Sequence, residues 1–202
     1  MADLDRTTGH TGGIGRGAFV AVVGPSGSGK DTLINHARRN FRGDGRIIFA
    51  RRVITRPTDA ASEDHETLDE AAFAEAEKAG VFCIAWSAHG LRYGLPKSVE
   101  RHVAGGGVAV ANVSRAVIPA LRERFVHVAV AAVTAPLDVL AQRLAARGRE
   151  SGTEAAARLA RTAPCSIHAE GATVIDNSGA PEIAGERLVA LLDEMLARVA
   201  DD

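Results

Sequence analysis

Short apolar runs alternate along this chain with longer stretches in which apolar residues recur every three or four positions. The runs at 18–23, 108–112, 126–133 and 173–176 are almost unbroken. Unbroken runs bounded by turn residues are the pattern of strands buried on both faces of a parallel sheet. The stretch 46–57 is rich in β-branched residues and predicts a strand pair or one bent strand. Residues 81–86 predict a strand, and 90–94 a turn or short strand carrying Tyr93. Helices are predicted at 30–41, ended by Gly43-Asp44-Gly45, and from a capping box Thr67-Leu68-Asp69-Glu70 to Ala79, closed by Gly80. Others are predicted at 96–104, with Pro96 in the first turn, and after Ser114, where Pro119 requires an early start or a kink. Three more fall at 136–146, 153–162 and 183–199, the last of them amphipathic. This β-α-β-α order predicts an α/β protein whose parallel sheet has helices on both faces. Residues 1–17 lack periodicity and predict a disordered tail, and 58–66 predict a polar, acidic loop.

The 202 residues suit a single domain with inserted subregions and a substantial core. A net charge of −1 provides no global attraction to nucleic acid or to a membrane surface, so any basic function is local. Cys83 and Cys165 stand far apart and form no metal or redox pattern, so idle thiols in a reducing compartment are expected. The seven histidines are not spaced as metal ligands. The start shows no apolar signal core, and the longest apolar stretch, from Val126 to Ala135, is too short to cross a bilayer. A cytoplasmic location follows as an expectation.

The candidate chemistry centres on Gly24-Pro25-Ser26-Gly27-Ser28-Gly29-Lys30-Asp31, set between an apolar strand and a helix. Strand, glycine-rich loop and helix form the context of a phosphate-binding P-loop. Glycines let successive N–H groups turn inward, the helix N-terminus adds partial positive charge, and Lys30 adds a full one. A Ser or Thr hydroxyl ordinarily meets Mg²⁺ at the eighth position of such a loop; here the residue is Asp31, followed by Thr32. Further on, a period of two places Arg52, Ile54 and Arg56 on one face. Two guanidinium groups there suit an anionic ligand, and the same spacing fits a solvated strand edge. On its own spacing His65 reads as a loop histidine in solvent, His89 as a turn residue, and Trp86 and Phe82 as core residues.

The P-loop, the Thr55-Arg56 strand, the Tyr93-Gly94 turn and an arginine-bearing helix together resemble the guanylate kinase-like P-loop family over roughly residues 18–199. The resemblance implies one kinase domain, with a core at 18–50, 99–146 and 164–199, an acceptor-binding region at about 51–98 and an arginine lid at about 147–163. Arg143, Arg147 and Arg158 look like that family's lid arginines, which close over donor and acceptor phosphates, although arginines of a surface helix would read alike. Where guanylate kinases carry acidic residues for guanine, this chain has Ile84 and Ser87, and the Asp expected at the end of the next strand is Asn112. Where a phosphate-binding serine is usual, it has Arg52. A pocket that lost carboxylates and gained a cation suits a ligand with an extra phosphate and no base.

Gly24 to Asp31, Arg52 to Arg56, Gly90-Leu91-x-Tyr93-Gly94, Asn112-x-Ser114-Arg115 and Arg147-Gly148-Arg149-Glu150 resemble a narrower family, the ribose 1,5-bisphosphate phosphokinases of phosphonate breakdown. In that family Asp31 is typical, whereas Val53 and Arg92 stand where aromatics are usual. The resemblance implies transfer from ATP to the 1-phosphate of ribose 1,5-bisphosphate, giving 5-phosphoribosyl 1-diphosphate. It implies Lys30, Arg147 and Arg158 as catalytic residues. Residues 24–32, Arg143 and Asn177 would hold ATP, with Asn177 near the adenine. Arg52, Arg56, His65, Tyr93 and Asn112 would hold the acceptor, and Asp31 or Thr32 would meet Mg²⁺ directly or through water. The expected partners are a small-molecule substrate, no nucleic acid, no membrane and, of proteins, a second copy as a homodimer. The competing readings are a nucleoside monophosphate kinase and a non-catalytic binding module of the same fold.

Overall fold

The computed structural model of the protein describes residues 13–56, 65–88, 90–146 and 171–201. Its central strand is β1 (Ile14–Val23), which alternates between two cores. Ala18, Val20 and Val22 face one core, while Phe19, Ala21 and Val23 face the other. Residues 18–22 of β1 are wholly buried, which is why the run carries no polar position. Around β1 lies a five-stranded sheet that also contains β2 (Ile47–Phe49), β7 (Val108–Asn112), β8 (Phe125–Thr134) and β9 (Ala172–Asp176). The order is β2-β7-β1-β8-β9, and every pairing is parallel. The first core is covered by α1 (Lys30–Asn40) and by the last helix, α6 (Pro181–Asp201). The second is covered by α3 (Lys97–Ala104) and α4 (Ile118–Arg124). The α/β fold with helices on both faces of a parallel sheet is the one the pattern predicts.

A second sheet, of four strands, rests on the second core through Ile84 and Leu95. Its strands are β3 (Arg52–Ile54), β4 (His65–Thr67), β5 (Phe82–Ala88) and β6 (Leu91–Pro96), in the order β4-β3-β6-β5. The β3–β4 pair is parallel and the others antiparallel. The β-branched stretch 46–57 is thus a strand pair split between sheets: β2 joins the main sheet and β3 the second.

Several local expectations shift. β1 begins at Ile14, inside the stretch expected to be disordered, because Ile14 pairs with Phe125 and continues the ladder. Thr67 ends β4 instead of opening a capping box, and Asp69 caps α2 (Glu70–Lys78) by accepting from the Ala72 N–H at 2.7 Å. Pro96 closes β6 just ahead of α3. Pro119 acts as expected: Ser114 caps a single 3₁₀ turn, Arg115–Val117, and α4 starts directly after it with the proline in its first turn. The helix expected at 153–162 lies outside the described residues. α5 (Leu137–Ala146) follows β8.

Candidate active site

β1 ends at Val23 and the chain enters the glycine loop. Gly24, Gly27 and Gly29 all have positive φ, at 151°, 82° and 88°. A side chain would be strained at each, and at two of them there is no room for one: a Cβ on Gly24 would run into the Val133 carbonyl, and one on Gly29 into the Asn177 amide. Lys30 opens α1 and folds back across the loop, where its Nζ donates to the carbonyls of Gly24 at 3.0 Å and Pro25 at 2.9 Å. The N-cap of α1 is Gly29, which has no side chain to cap with, so the N–H groups of the first turn face the loop's interior without that competition. Ser28 is fully buried, and its Oγ has no hydrogen-bond partner among the described residues. A buried hydroxyl and an uncapped helix start inside a glycine curl fit a polyphosphate. Gly27 packs beside Leu140 and Leu144, which places α5, the helix carrying Arg143, against the loop. Arg143 is half-buried, and its Nη1 has no hydrogen-bond partner among the described residues.

Two asparagines brace this loop. Asn177 follows β9 and is 2% exposed. Its Nδ2 donates to the Ser28 carbonyl at 2.7 Å, while its own N–H donates to the Thr134 carbonyl at 2.8 Å. Its amide therefore lies under the loop, where it shapes the cradle, and its buried Oδ1 has no hydrogen-bond partner among the described residues. Asn112 ends β7, beside Val22 in register, and its Nδ2 donates to Asp31 Oδ1 at 2.8 Å. Asp31 sits in the first turn of α1, where a negative charge is favoured by the helix dipole. A half-buried carboxylate next to a polyphosphate cradle is a hard oxygen donor of the kind Mg²⁺ takes, so the residues present fit that ion. Thr32 is exposed on α1.

On the second sheet, Arg52 is 9% exposed and its guanidinium lies over the Tyr93 ring, 5.5 Å from the centroid. Tyr93 in turn stacks on Trp86, with centroids 5.3 Å apart and planes 9° from parallel. Arg52, Tyr93 and Trp86 form a column across β3, β6 and β5, in which a cation held on an aromatic face keeps both its charge and its direction. His65 is buried opposite Arg52 in the β3–β4 register, and its carbonyl accepts from Arg51 at 3.4 Å. Arg56 is partly exposed just past β3. Thr55 is fixed by a two-way link to the Arg92 backbone, in which its Oγ1 accepts at 2.9 Å and its N–H donates at 3.1 Å. Arg92, in place of the usual aromatic, lies over Phe73 at 4.7 Å and pairs with Glu77, so it belongs to the packing of α2.

The structure brings the loop, Lys30, Asp31, Asn112 and Asn177 together at one end of the main sheet. It gathers Arg52, His65 and Tyr93 on the second sheet. Ile84, where guanylate kinases place a base-reading carboxylate, is buried in the second core, and Ser87 is exposed. Arg147 and Arg158 lie outside the described residues. Trp86 was missed as part of the site: it packs on the core as expected but also supports Tyr93, and only the β5–β6 register reveals that pairing. Among the described residues no group of three or more His, Cys, Asp or Glu could hold a metal ion together, and no helix is long and apolar enough to cross a membrane. Burial pushes the Cys83 thiol up to about 11, so it stays protonated near neutral pH.

No family model matches the chain. A curated ribose 1,5-bisphosphate phosphokinase from Chelativorans sp. is 49% identical to it over 185 residues, 91% of this chain and 88% of that protein. Another, from Brucella melitensis, is 52% identical over 164 residues, 81% of this chain and 85% of that protein. Among solved structures, guanylate kinase from Anaplasma phagocytophilum matches with a TM-score of 0.63 at 20% identity, over 88% of this chain and 85% of that one. That last likeness is one of fold: an α/β P-loop kinase architecture.

Proposed function

The chain belongs to the ribose 1,5-bisphosphate phosphokinase family, and we propose that it transfers the γ-phosphoryl group of ATP to the 1-phosphate of ribose 1,5-bisphosphate, giving ADP and 5-phosphoribosyl 1-diphosphate. The observation that carries the acceptor reading is Arg52, nearly buried and held face-on to Tyr93 where a base-binding kinase has no such cation. An oxygen of the 1-phosphate attacks the γ-phosphorus, and the bond from that phosphorus to the β–γ bridging oxygen breaks as ADP leaves. The attacking oxygen is already ionised near neutral pH, so the step needs no general base. What it needs is alignment of two strongly negative groups and neutralisation of their charge.

Lys30 and the loop N–H groups hold the β- and γ-phosphates, with Arg143 alongside. On binding phosphate, Nζ exchanges its bonds to the Gly24 and Pro25 carbonyls for charge-assisted ones. Arg52, Arg56 and His65 grip the acceptor phosphates, and Tyr93 donates to one of them. Arg147 and Arg158 complete the charge cage from the lid. Asp31 is the residue that would hold Mg²⁺, directly or through water, and the ion would supply neutralisation of phosphate charge when bound. The family's place in phosphonate breakdown gives the reaction its setting.

The test is product identity. Purified protein with ATP and ribose 1,5-bisphosphate should generate the paired ³¹P resonances of a diphosphate on the sugar's C1, together with ADP. ATP consumption without that diphosphate, or no consumption, contradicts the proposal.

A further inference from the structure

P-loop enzymes commonly divide their metal-handling groups between a Ser or Thr directly after the loop lysine and an Asp at the end of a neighbouring strand. In this chain both positions differ. The residue after Lys30 is the carboxylate Asp31, and the residue ending β7, the strand beside β1, is the amide Asn112. Taken singly, each looks like a lost ligand. The structure places them 2.8 Å apart, with Asn112 Nδ2 donating to Asp31 Oδ1. Between them they still hold one negative charge and one hydrogen bond; the carboxylate has moved from the strand to the helix.

We propose that Asn112 is a positioning residue for the Mg²⁺-nucleotide complex, acting through Asp31, and not a reader of the acceptor. The inference rests on the kinase reading above. A carboxylate in the first turn of a helix has a competing use, since it can fold back and cap its own backbone N–H groups. An amide donor that occupies Oδ1 removes that option and leaves Oδ2 directed by the same rotamer. Asn suits the task because it donates without adding charge. An Asp at 112 would place two carboxylates within hydrogen-bond distance of each other, and an Ala would leave Asp31 unheld. The register fixes the donor: Asn112 lies beside Val22, and the Val113 N–H donates to the Val22 carbonyl at 3.1 Å, so the end of β7 cannot slide relative to the strand that feeds the loop.

The test compares five proteins: wild type, Asn112→Ala, Asn112→Asp, Asp31→Ser, and the double exchange Asp31→Ser with Asn112→Asp. Calorimetry would measure ADP affinity with saturating Mg²⁺ and with EDTA, and thermal melting would confirm folding. Loss of an outer-sphere partner typically weakens metal binding by about 10–100-fold. The three single variants should therefore lose about that much of the Mg²⁺-dependent gain in affinity, and Asn112→Ala, which changes no charge, should keep its affinity in EDTA. The double exchange should recover most of the gain. Asn112→Ala, which adds no charge, serves if Asn112→Asp does not fold. A wild-type Mg²⁺ response in Asn112→Ala, or a double exchange no better than the worse single variant, overturns the proposal. Wild-type protein that binds no ADP under either condition overturns the kinase reading itself, and this inference with it.

Discussion

The loop after β1 and the second sheet hold positive charge by opposite means. Around Lys30 the backbone sets the geometry: three glycines at positive φ, carbonyls that receive Nζ, and amides that clamp the Ser28 carbonyl and the Asp31 carboxylate. Around Arg52 the side chains set it, through a guanidinium on a tyrosine that rests on a tryptophan. A backbone cradle recognises phosphate groups whatever they are attached to. A side-chain column can be refitted by a few substitutions without disturbing the strands beneath. On the proposed reading, the contrast teaches where specificity resides: the loop, as donor half, takes a polyphosphate, and the second sheet, as acceptor half, decides which partner receives the phosphoryl group.

The largest effect belongs to Lys30→Met, which should lower kcat by about 10³-fold, since on the proposed mechanism it removes the charge that meets the transferring group. Melting temperature should stay near wild type, and an unchanged kcat would remove the loop from the chemistry. Next is Arg52→Met, expected to lower kcat/KM for the acceptor by about 10²-fold, the scale of losing one positioned charge-assisted contact. KM for ATP should hold steady; equal losses for both substrates would erase the distinction between the halves. Third, Gly29→Ala should destabilise the fold by about 1–3 kcal/mol in urea unfolding, because its φ of 88° strains an alanine and its Cβ meets the Asn177 amide. The same variant should weaken ADP binding and spare acceptor binding.

A smaller, optical effect sharpens the contrast. Trp86 is the chain's single tryptophan and stacks on Tyr93. Its fluorescence should change on titration with ribose 1,5-bisphosphate and remain steady with ADP alone. The smallest effect concerns Cys83, whose thiol is raised from 9.0 to about 11, chiefly by burial. Between those values the unfolded chain has already lost the thiol proton that the folded chain retains, so stability must fall as pH rises from about 9 to 11. Urea unfolding at pH 8.5 and pH 10.5 should show the decline, and Cys83→Ala should flatten it.

The donor half was legible because backbone geometry demands particular residues. A curl at positive φ requires glycine, and Gly24, Gly27 and Gly29 appear at the required spacing ahead of Lys30. The main sheet was legible for a similar reason, since burial on both faces excludes polar residues from its strands. Residues 14–17 were not. Their glycines resemble a disordered tail in composition, yet Gly17 lies so close to the backbone of Gly107 and Val103 that no side chain fits there. β4 is three residues long and emerges from an acidic stretch, too short to show a period. The Asp31–Asn112 contact joins positions 81 residues apart, and no local spacing announces it. Asn177 reads from the resemblance as a residue near the adenine, but its side-chain amide donates to the Ser28 carbonyl, a bracing role that only the alignment of β9 with β8 reveals.

The most direct measurement offers both acceptors to the same protein: γ-labelled ATP with equal concentrations of ribose 1,5-bisphosphate and GMP, with the labelled products separated. The account predicts label in the sugar diphosphate and none above background in GDP. Label appearing in GDP at a comparable rate would contradict it, because the proposed acceptor site relies on Arg52, and Ile84, buried in the second core, offers no carboxylate to a guanine edge.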